Sequence, residues 1–327
     1  MGTTIQNQEP YLCGKSTYCL FPLSKKDQPI FDFYKHHLST IWFSSELNFE
    51  NLKEEFAELP DGIQTWIKHI LAFFASSDLL INSNIMDNFL SEITNSCCQQ
   101  FYAVQACIEA IHSEVYSLLI DNCIADKQEK KKLFYAIETM PVIKKKAEFV
   151  IKRMDDSLPL SHRLFCFQCF EGIAFSSSFC GLYYLKTLFP GKVSALVESN
   201  KYISRDETIH ADFGAMLQRE YVQNKMSSSE AHDIVRELLD LEKEFIEVIP
   251  CDLILIDSSK MLHYIEYCAD IQLVNAGFQP LFNHKESGLK FMNSISMYNK
   301  SNFFEVKATE YAMVEDSDKS LTITDDF

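Results

Sequence analysis

Over most of the chain, apolar and polar residues alternate with a helical period. From Asp61, which can cap a helix, the residues Ile63, Trp66, Ile67, Ile70, Leu71 and Phe74 recur at spacings of three and four. That spacing gathers them on one face. The period continues over 99–125, 128–152, 160–187, 192–223, 227–249 and 258–277. Pro141, Pro159, Pro190 and Pro250 fall between these stretches or at their ends, where a missing N–H does least harm. No paired segments show the two-residue alternation of strands. The pattern predicts an all-α fold: an N-terminal arm over 1–45, a helical domain over 46–287 and a C-terminal tail over 288–327.

The tail departs from the helical pattern. It is rich in Asn, Ser, Lys and Asp, which predicts flexibility. Its end, Leu321 to Phe327, places apolar residues at alternate positions and closes on Phe. That is the form of a peptide that orders on a partner, although a solvated end fits the composition equally.

Composition narrows the class. With 327 residues, 47% of them hydrophobic, the chain can bury a sizeable core, and 9 Gly and 9 Pro are too few for a loop-rich fold. A net charge of −16 leaves no basic face for nucleic acid or an anionic membrane. The apolar stretch around Ile67 to Ile81 contains His69 and Asp78 and is too short to span a bilayer. The 11 cysteines follow no framework spacing, and Cys166 and Cys169 lack the second pair that zinc needs. Core thiols in a reducing cytoplasm are the expectation, and no signal peptide is evident at the start of the sequence. The lysine runs 130–132 and 144–146 read as solvated helix faces.

Two Glu-x-x-His pairs carry the chemistry: Glu109 with His112, and Glu207 with His210. Three residues apart on a helix, the two side chains share a face. One such pair arises easily by chance. Both lie in apolar helical stretches, however, and two further stretches each hold a lone acid, Asp78 and Glu171. An ionised carboxylate in an apolar core must be neutralised, paired or bound to metal. Four carboxylates and two imidazoles around two cations would balance, in the pattern of ferritin-like dimetal bundles. Oxygen and imidazole donors without thiolate suit iron or manganese. Singly, Asp78 reads equally as an internal cap and His112 as a core histidine; the joint order of acid, pair, acid, pair favours metal.

Tyr116 lies one turn beyond His112 on the same face. A helical tyrosine is more often packing than redox residue. Phe175 and Phe179 continue the Glu171 face, and Ile203 precedes Glu207 by one turn. They form an apolar wall that is compatible with core packing and with shielding a radical.

At these residues the sequence resembles a known family. Ala72-Phe-Phe-Ala-Ser-Ser-Asp78, Ile108-Glu-Ala-Ile-His-Ser-Glu-Val-Tyr116, Ala136-Ile-Glu-Thr-Met-Pro141, Phe170-Glu-Gly-Ile and Ile203-Ser-Arg-Asp-Glu-Thr-Ile-His210 are similar to the small, radical-generating R2-type subunit of eukaryotic-type class I ribonucleotide reductase. The resemblance runs from about residue 20 to the C-terminus. It implies a ferritin-like bundle with two iron ions per chain, or manganese. Asp78, Glu109 and His112 would hold one ion, Glu171, Glu207 and His210 the other, with a carboxylate bridging. Oxygen chemistry there would take an electron and a proton from Tyr116. The oxidising equivalent would then pass through His112, Asp206, Trp42 and Tyr311 to a large subunit, on which Leu321 and Phe327 dock and which reduces ribonucleoside diphosphates. For Asp206, a hydrogen bond to the free imidazole N–H also suits its place beside a ligand. A homodimer, or a heterodimer with a paralogue, is implied as well.

Leu79 and Thr208 stand where relatives often carry glycine, and Ser177 replaces a small residue near the pocket; altered site packing is the expectation from these departures. Val306 takes an often basic place in the tail. Two other readings fit part of the pattern. An iron-storing bundle accounts for the ligands but not for Trp42 or the terminal peptide. A silent paralogue would be expected to lack some of the six ligands.

Overall fold

Nine main helices build the described part of the chain in the computed structural model, which covers residues 9–15 and 21–292. Tyr311, Leu321 and Phe327 lie outside the described residues, as do parts of the arm and nearly all of 288–327. The main helices are α1 (Gln28–Ser39), α2 (Asp61–Asn84), α3 (Ser96–Cys123), α4 (Pro141–Arg153), α5 (Leu160–Cys169), α6 (Ser176–Leu188), α7 (Ser194–Met216), α8 (Ser228–Val248) and α9 (Ser258–Asn275). No strand occurs among the described residues. The fold is all-α and ferritin-like.

Local chemistry explains most helix boundaries. The Asn95 side chain accepts the Cys97 and Cys98 N–H groups at 3.0 and 3.1 Å and starts α3. Ser227 and Glu230 form a reciprocal capping box on α8, and Asp257 caps α9. At α2 the expectation is corrected. Pro60 holds the cap position and Asp61 is the first helical residue, with no capping bond; its charge still favours the helix N-terminus. The stretch over 128–152 is also not one helix. It divides into Lys127–Phe134, Ala136–Thr139 and α4, and the second break falls where Pro141 can begin a helix but not continue one.

Three helices are locally underwound into π-turns, at Ile85–Phe89, Phe170–Ala174 and Leu217–Tyr221. The second interrupts the predicted 160–187 helix and carries Glu171. Gly172 follows because a Cβ there would meet the Gln272 side chain at 2.4 Å. Single π-turns frequently mark functional positions.

Helices α2, α3 and α7, together with the α5–α6 segment, surround one interior, and α1 lies across α3 and α7. Thus a helix of the N-terminal arm contributes directly to the core. The interior is aromatic, with Phe73, Phe74, Phe101, Phe165, Phe170, Phe175 and Phe213 all fully buried. The 144–146 lysine run is corrected in part. Lys146 is completely buried and paired with Glu242, with its ammonium 3.9 Å from the Phe73 ring centre and 3.8 Å from that of Phe245.

Candidate metal centre

Each of four backbone segments delivers part of one polar cluster into this apolar interior. Asp78 comes from α2, Glu109 and His112 from α3, Glu171 from the π-turn, and Glu207 and His210 from α7. All six are at most 2% exposed. The i, i+3 spacing does what the sequence implied, since each glutamate stands beside its own histidine. Each also reaches the other histidine. Glu109 approaches His112 Nδ1 at 3.4 Å and His210 Nδ1 at 3.2 Å. Glu207 approaches both at 3.3 Å. Asp78 Oδ2 lies 4.0 Å from His112 Nδ1, and Glu171 Oε1 3.8 Å from His210 Nδ1.

Two donor groups emerge, each with ligand atoms within 4.8 Å of one another: Asp78, Glu109 and His112, and Glu109, Glu171, Glu207 and His210. Glu109 belongs to both. Both oxygens of Asp78, both of Glu109, Glu171 Oε2, Glu207 Oε1 and His112 Nδ1 are buried without a hydrogen-bond partner. Buried polar atoms are rarely left so, and orphaned oxygens converging from four segments fit cations. A third group, His263, Glu266 and His284, is half-buried and lies elsewhere.

The electrostatics agree. Burial, followed by the carboxylates of Glu109 and Glu207, raises Asp78 well above the usual range. Burial likewise raises Glu171. Burial also acts to raise Glu109, but contacts with His112 and His210 outweigh it and hold Glu109 at about 2. Burial disfavours a charged His210, yet Glu109 and Glu207 lift it to about 10. For His112, burial is likewise outweighed, by Asp206, Glu109 and Glu207. Without metal, the cluster therefore retains protons that divalent cations would displace.

Around the six side chains stands a second layer. Asp206 Oδ2 accepts the Trp42 indole N–H at 2.8 Å and lies 3.2 Å from His112 Nε2. Arg205 donates to Asp206 Oδ1 at 3.1 and 3.0 Å and to the Thr40 carbonyl at 2.6 Å. Gln105 donates to Glu171 Oε1 at 2.9 Å. His37, fully buried on α1, meets His210 Nε2 through its own Nε2 at 3.2 Å. Sequence reasoning missed Gln105, Arg205 and His37. Only the adjacency of Arg205 to Asp206 offered a signal.

Tyr116 is 2% exposed and stacks on Phe74, with centroids 5.1 Å apart and planes 16° from parallel. The other face of this aromatic group is built by Phe179 and Phe175, at 4.9 and 5.4 Å from Phe74. Ile203 is buried on α7, one turn before Glu207. Burial and then Asp78, Glu207 and Glu109 push the Tyr116 phenol well above its ordinary value. A cleft of about 970 Å³ reaches Glu171, Glu207 and Phe179, with Thr208 in its wall. Leu79 is 66% exposed, so the expected influence of this residue on site packing is corrected. Ser177 is buried and donates to Glu242 at 3.1 Å.

The family description "Ribonucleotide reductase, small chain" matches residues 19–288. The chain belongs to this family. Its polypeptide is 42% identical over 302 residues to the ribonucleoside-diphosphate reductase small subunit of Dictyostelium discoideum, covering 91% of this chain and 87% of that one. It is 38% identical over 322 residues to the small chain of Trypanosoma brucei brucei, covering 97% and 94%. Among solved structures it is similar to the ribonucleotide reductase Rnr4 homodimer from Saccharomyces cerevisiae, with a TM-score of 0.77 and 25% identity over 90% of this chain and 94% of that one. The chain is therefore a class I ribonucleotide reductase small subunit, part of an oxidoreductase. No helix among the described residues is long and apolar enough to cross a membrane.

Proposed function

We propose that this ribonucleotide reductase small subunit makes and stores a radical on Tyr116 and delivers its oxidising equivalent to a large subunit. The observation that carries the reading is the convergence of four orphaned carboxylates and two imidazoles one helical turn from a buried phenol. Asp78, Glu109, His112, Glu171, Glu207 and His210 would hold two metal ions, iron in the first instance and manganese as the other candidate. Bound there, the ions would supply the oxygen activation that oxidises a phenol.

The protein's own residues do the rest. Tyr116 is held as a neutral phenol, since burial and nearby carboxylates oppose its ionisation. Electron and proton would therefore leave it together, the electron to the oxidised metal centre and the proton to a base beside the phenol, where Asp78 is the carboxylate that acts on it most, as a phenol cation in this apolar pocket would be costly. Phe74, Phe175, Phe179 and Ile203 exclude water and water-borne reductants from the oxidised ring. The hydrogen-bonded series His112, Asp206 and Trp42 is the route by which an electron returns, and Tyr311 continues it. The segment from Leu321 to Phe327 docks on the large subunit, where ribonucleoside diphosphates are reduced. In this reading 1–45 is an arm, 46–287 the dimetal domain and 288–327 the docking tail, and the chain works in the cytoplasm as a homodimer or paired with a paralogue. A reducing compartment suits the free, buried thiols of Cys98, Cys123, Cys166, Cys169 and Cys180.

The test is metal analysis and electron paramagnetic resonance on full-length protein reconstituted with ferrous iron and oxygen. Two ions per chain and an organic radical that vanishes in Tyr116→Phe are expected. Many irons per chain would indicate storage, and a radical that survives Tyr116→Phe would overturn the assignment.

A further inference from the structure

We propose that His37 is the hydrogen-bond acceptor that orients His210 towards metal, and that it makes the two metal positions chemically unequal. The inference rests on the dimetal reading above. His210 turns Nδ1 towards Glu109 and Glu207, at 3.2 and 3.3 Å. With Nδ1 given to a metal ion on that side, the ring proton sits on Nε2, and Nε2 faces His37 Nε2 at 3.2 Å. Two imidazole nitrogens at that distance need one donor and one acceptor. His37 Nε2 must accept, so its own proton lies on Nδ1.

His37 Nδ1 is buried and has no partner among the described residues. A buried N–H left unmatched is unfavourable and calls for an explanation. Holding His210 is one. Its ring lies against Phe101 at 5.2 Å and edge-on to His210 at 4.8 Å. The contact also ties α1, a helix of the N-terminal arm, to a ligand on α7, across 173 residues of sequence.

The opposite ligand is supported differently. His112 Nε2 meets a carboxylate, Asp206, itself fixed by Trp42 and Arg205. A carboxylate draws the imidazole proton strongly and makes the coordinating nitrogen a better donor; a neutral imidazole does so less. The two histidines therefore donate unequally, and His37 acts on the position formed by Glu109, Glu171, Glu207 and His210.

The experiment titrates metal-free full-length protein with Mn(II), reading free Mn(II) by electron paramagnetic resonance. Wild type is expected to show two classes of site, one ion in each. His37→Leu removes the acceptor and is expected to weaken one class by about 10–100-fold while sparing the other. His37→Gln keeps an acceptor oxygen and is expected to restore that class to within a few fold. Equal weakening by Leu and Gln, a Leu variant that fills both classes like wild type, or equal loss of both classes would each overturn the proposal. Should the Leu variant fail to fold, His37→Glu decides: a carboxylate acceptor is expected to tighten one class and leave the other, and no tightening overturns the role. A wild-type chain that binds fewer than two ions would overturn the dimetal reading itself, and the role of His37 with it.

Discussion

Trp42 donates its indole N–H to Asp206 Oδ2 at 2.8 Å, joining residues 164 positions apart in sequence. The same oxygen lies 3.2 Å from His112 Nε2, so one carboxylate links the edge of the site to the buried cluster. Asp206→Asn keeps the size of the side chain but removes the charge that holds both partners and Arg205. We expect it to retain two metal ions and the Tyr116 radical while nucleotide reduction with the large subunit falls by about 10–100-fold. Turnover measured beside the radical signal of the same sample checks this. Unchanged turnover would remove Asp206 from the route.

Much of this site was legible because its logic is local. Glu109 with His112, and Glu207 with His210, sit three residues apart, and helical geometry alone brings each pair to one face. Asp78 and Glu171 were visible as lone acids in apolar stretches, where an unpaired charge is too costly to be incidental. His37 was not legible, because its place is set by a 12-residue helix in a mixed arm and by a partner on a distant helix. The π-turn under Glu171 was equally hidden, since shifting a backbone hydrogen bond by one residue leaves composition and periodicity almost unchanged. Lys146 misled for the opposite reason. A run of lysines looks solvated until tertiary packing puts Glu242 beside one of them.

Phe74 stands between Tyr116 and Phe179, stacked on both. Phe74→Leu keeps an apolar side chain but opens one face of the phenol. The expected result is a radical that forms normally and decays several-fold faster when hydroxylamine is added, followed by the decay of its resonance signal. Wild-type decay would show that the ring is packing alone.

Protonation of the empty cluster gives a pH dependence of definite sign. His210 has its value raised from 6.5 to about 10 and His112 is also raised, so both bind protons more tightly folded than unfolded. Their contribution is fully present below pH 6.5 and is lost as pH rises towards 10. Asp78 and Glu171, raised as well, act in the same direction. His37 is lowered, chiefly by burial and then by His210, so it opposes this trend only below its ordinary value of 6.5. Between about pH 7 and 9 the metal-free protein should therefore lose thermal stability, while the increment gained on adding Mn(II) grows as fewer protons need displacing. Calorimetry with and without metal across that window checks both slopes. A metal-free Tm that climbs with pH would contradict the protonated cluster.

Lys146 and Glu242 form a fully buried ion pair whose lysine also donates to the Ala174 carbonyl at 3.3 Å, at the end of the π-turn that carries Glu171. Burial raises Glu242 and lowers Lys146, each partly offset by the other. Breaking the pair from one side should therefore differ sharply from replacing it. Lys146→Met leaves Glu242 buried with only the Ser177 hydroxyl, and we expect a loss of about 3–5 kcal/mol in urea unfolding at pH 8. At lower pH Glu242 can take up a proton and become neutral, so the loss should shrink. Replacing both partners in Lys146→Met with Glu242→Leu removes the orphaned charge, and stability should return to within about 1 kcal/mol of wild type or exceed it. A double variant as unstable as the single one would mean that the pair itself, through its hold on the π-turn, stabilises the fold beyond what apolar packing can replace.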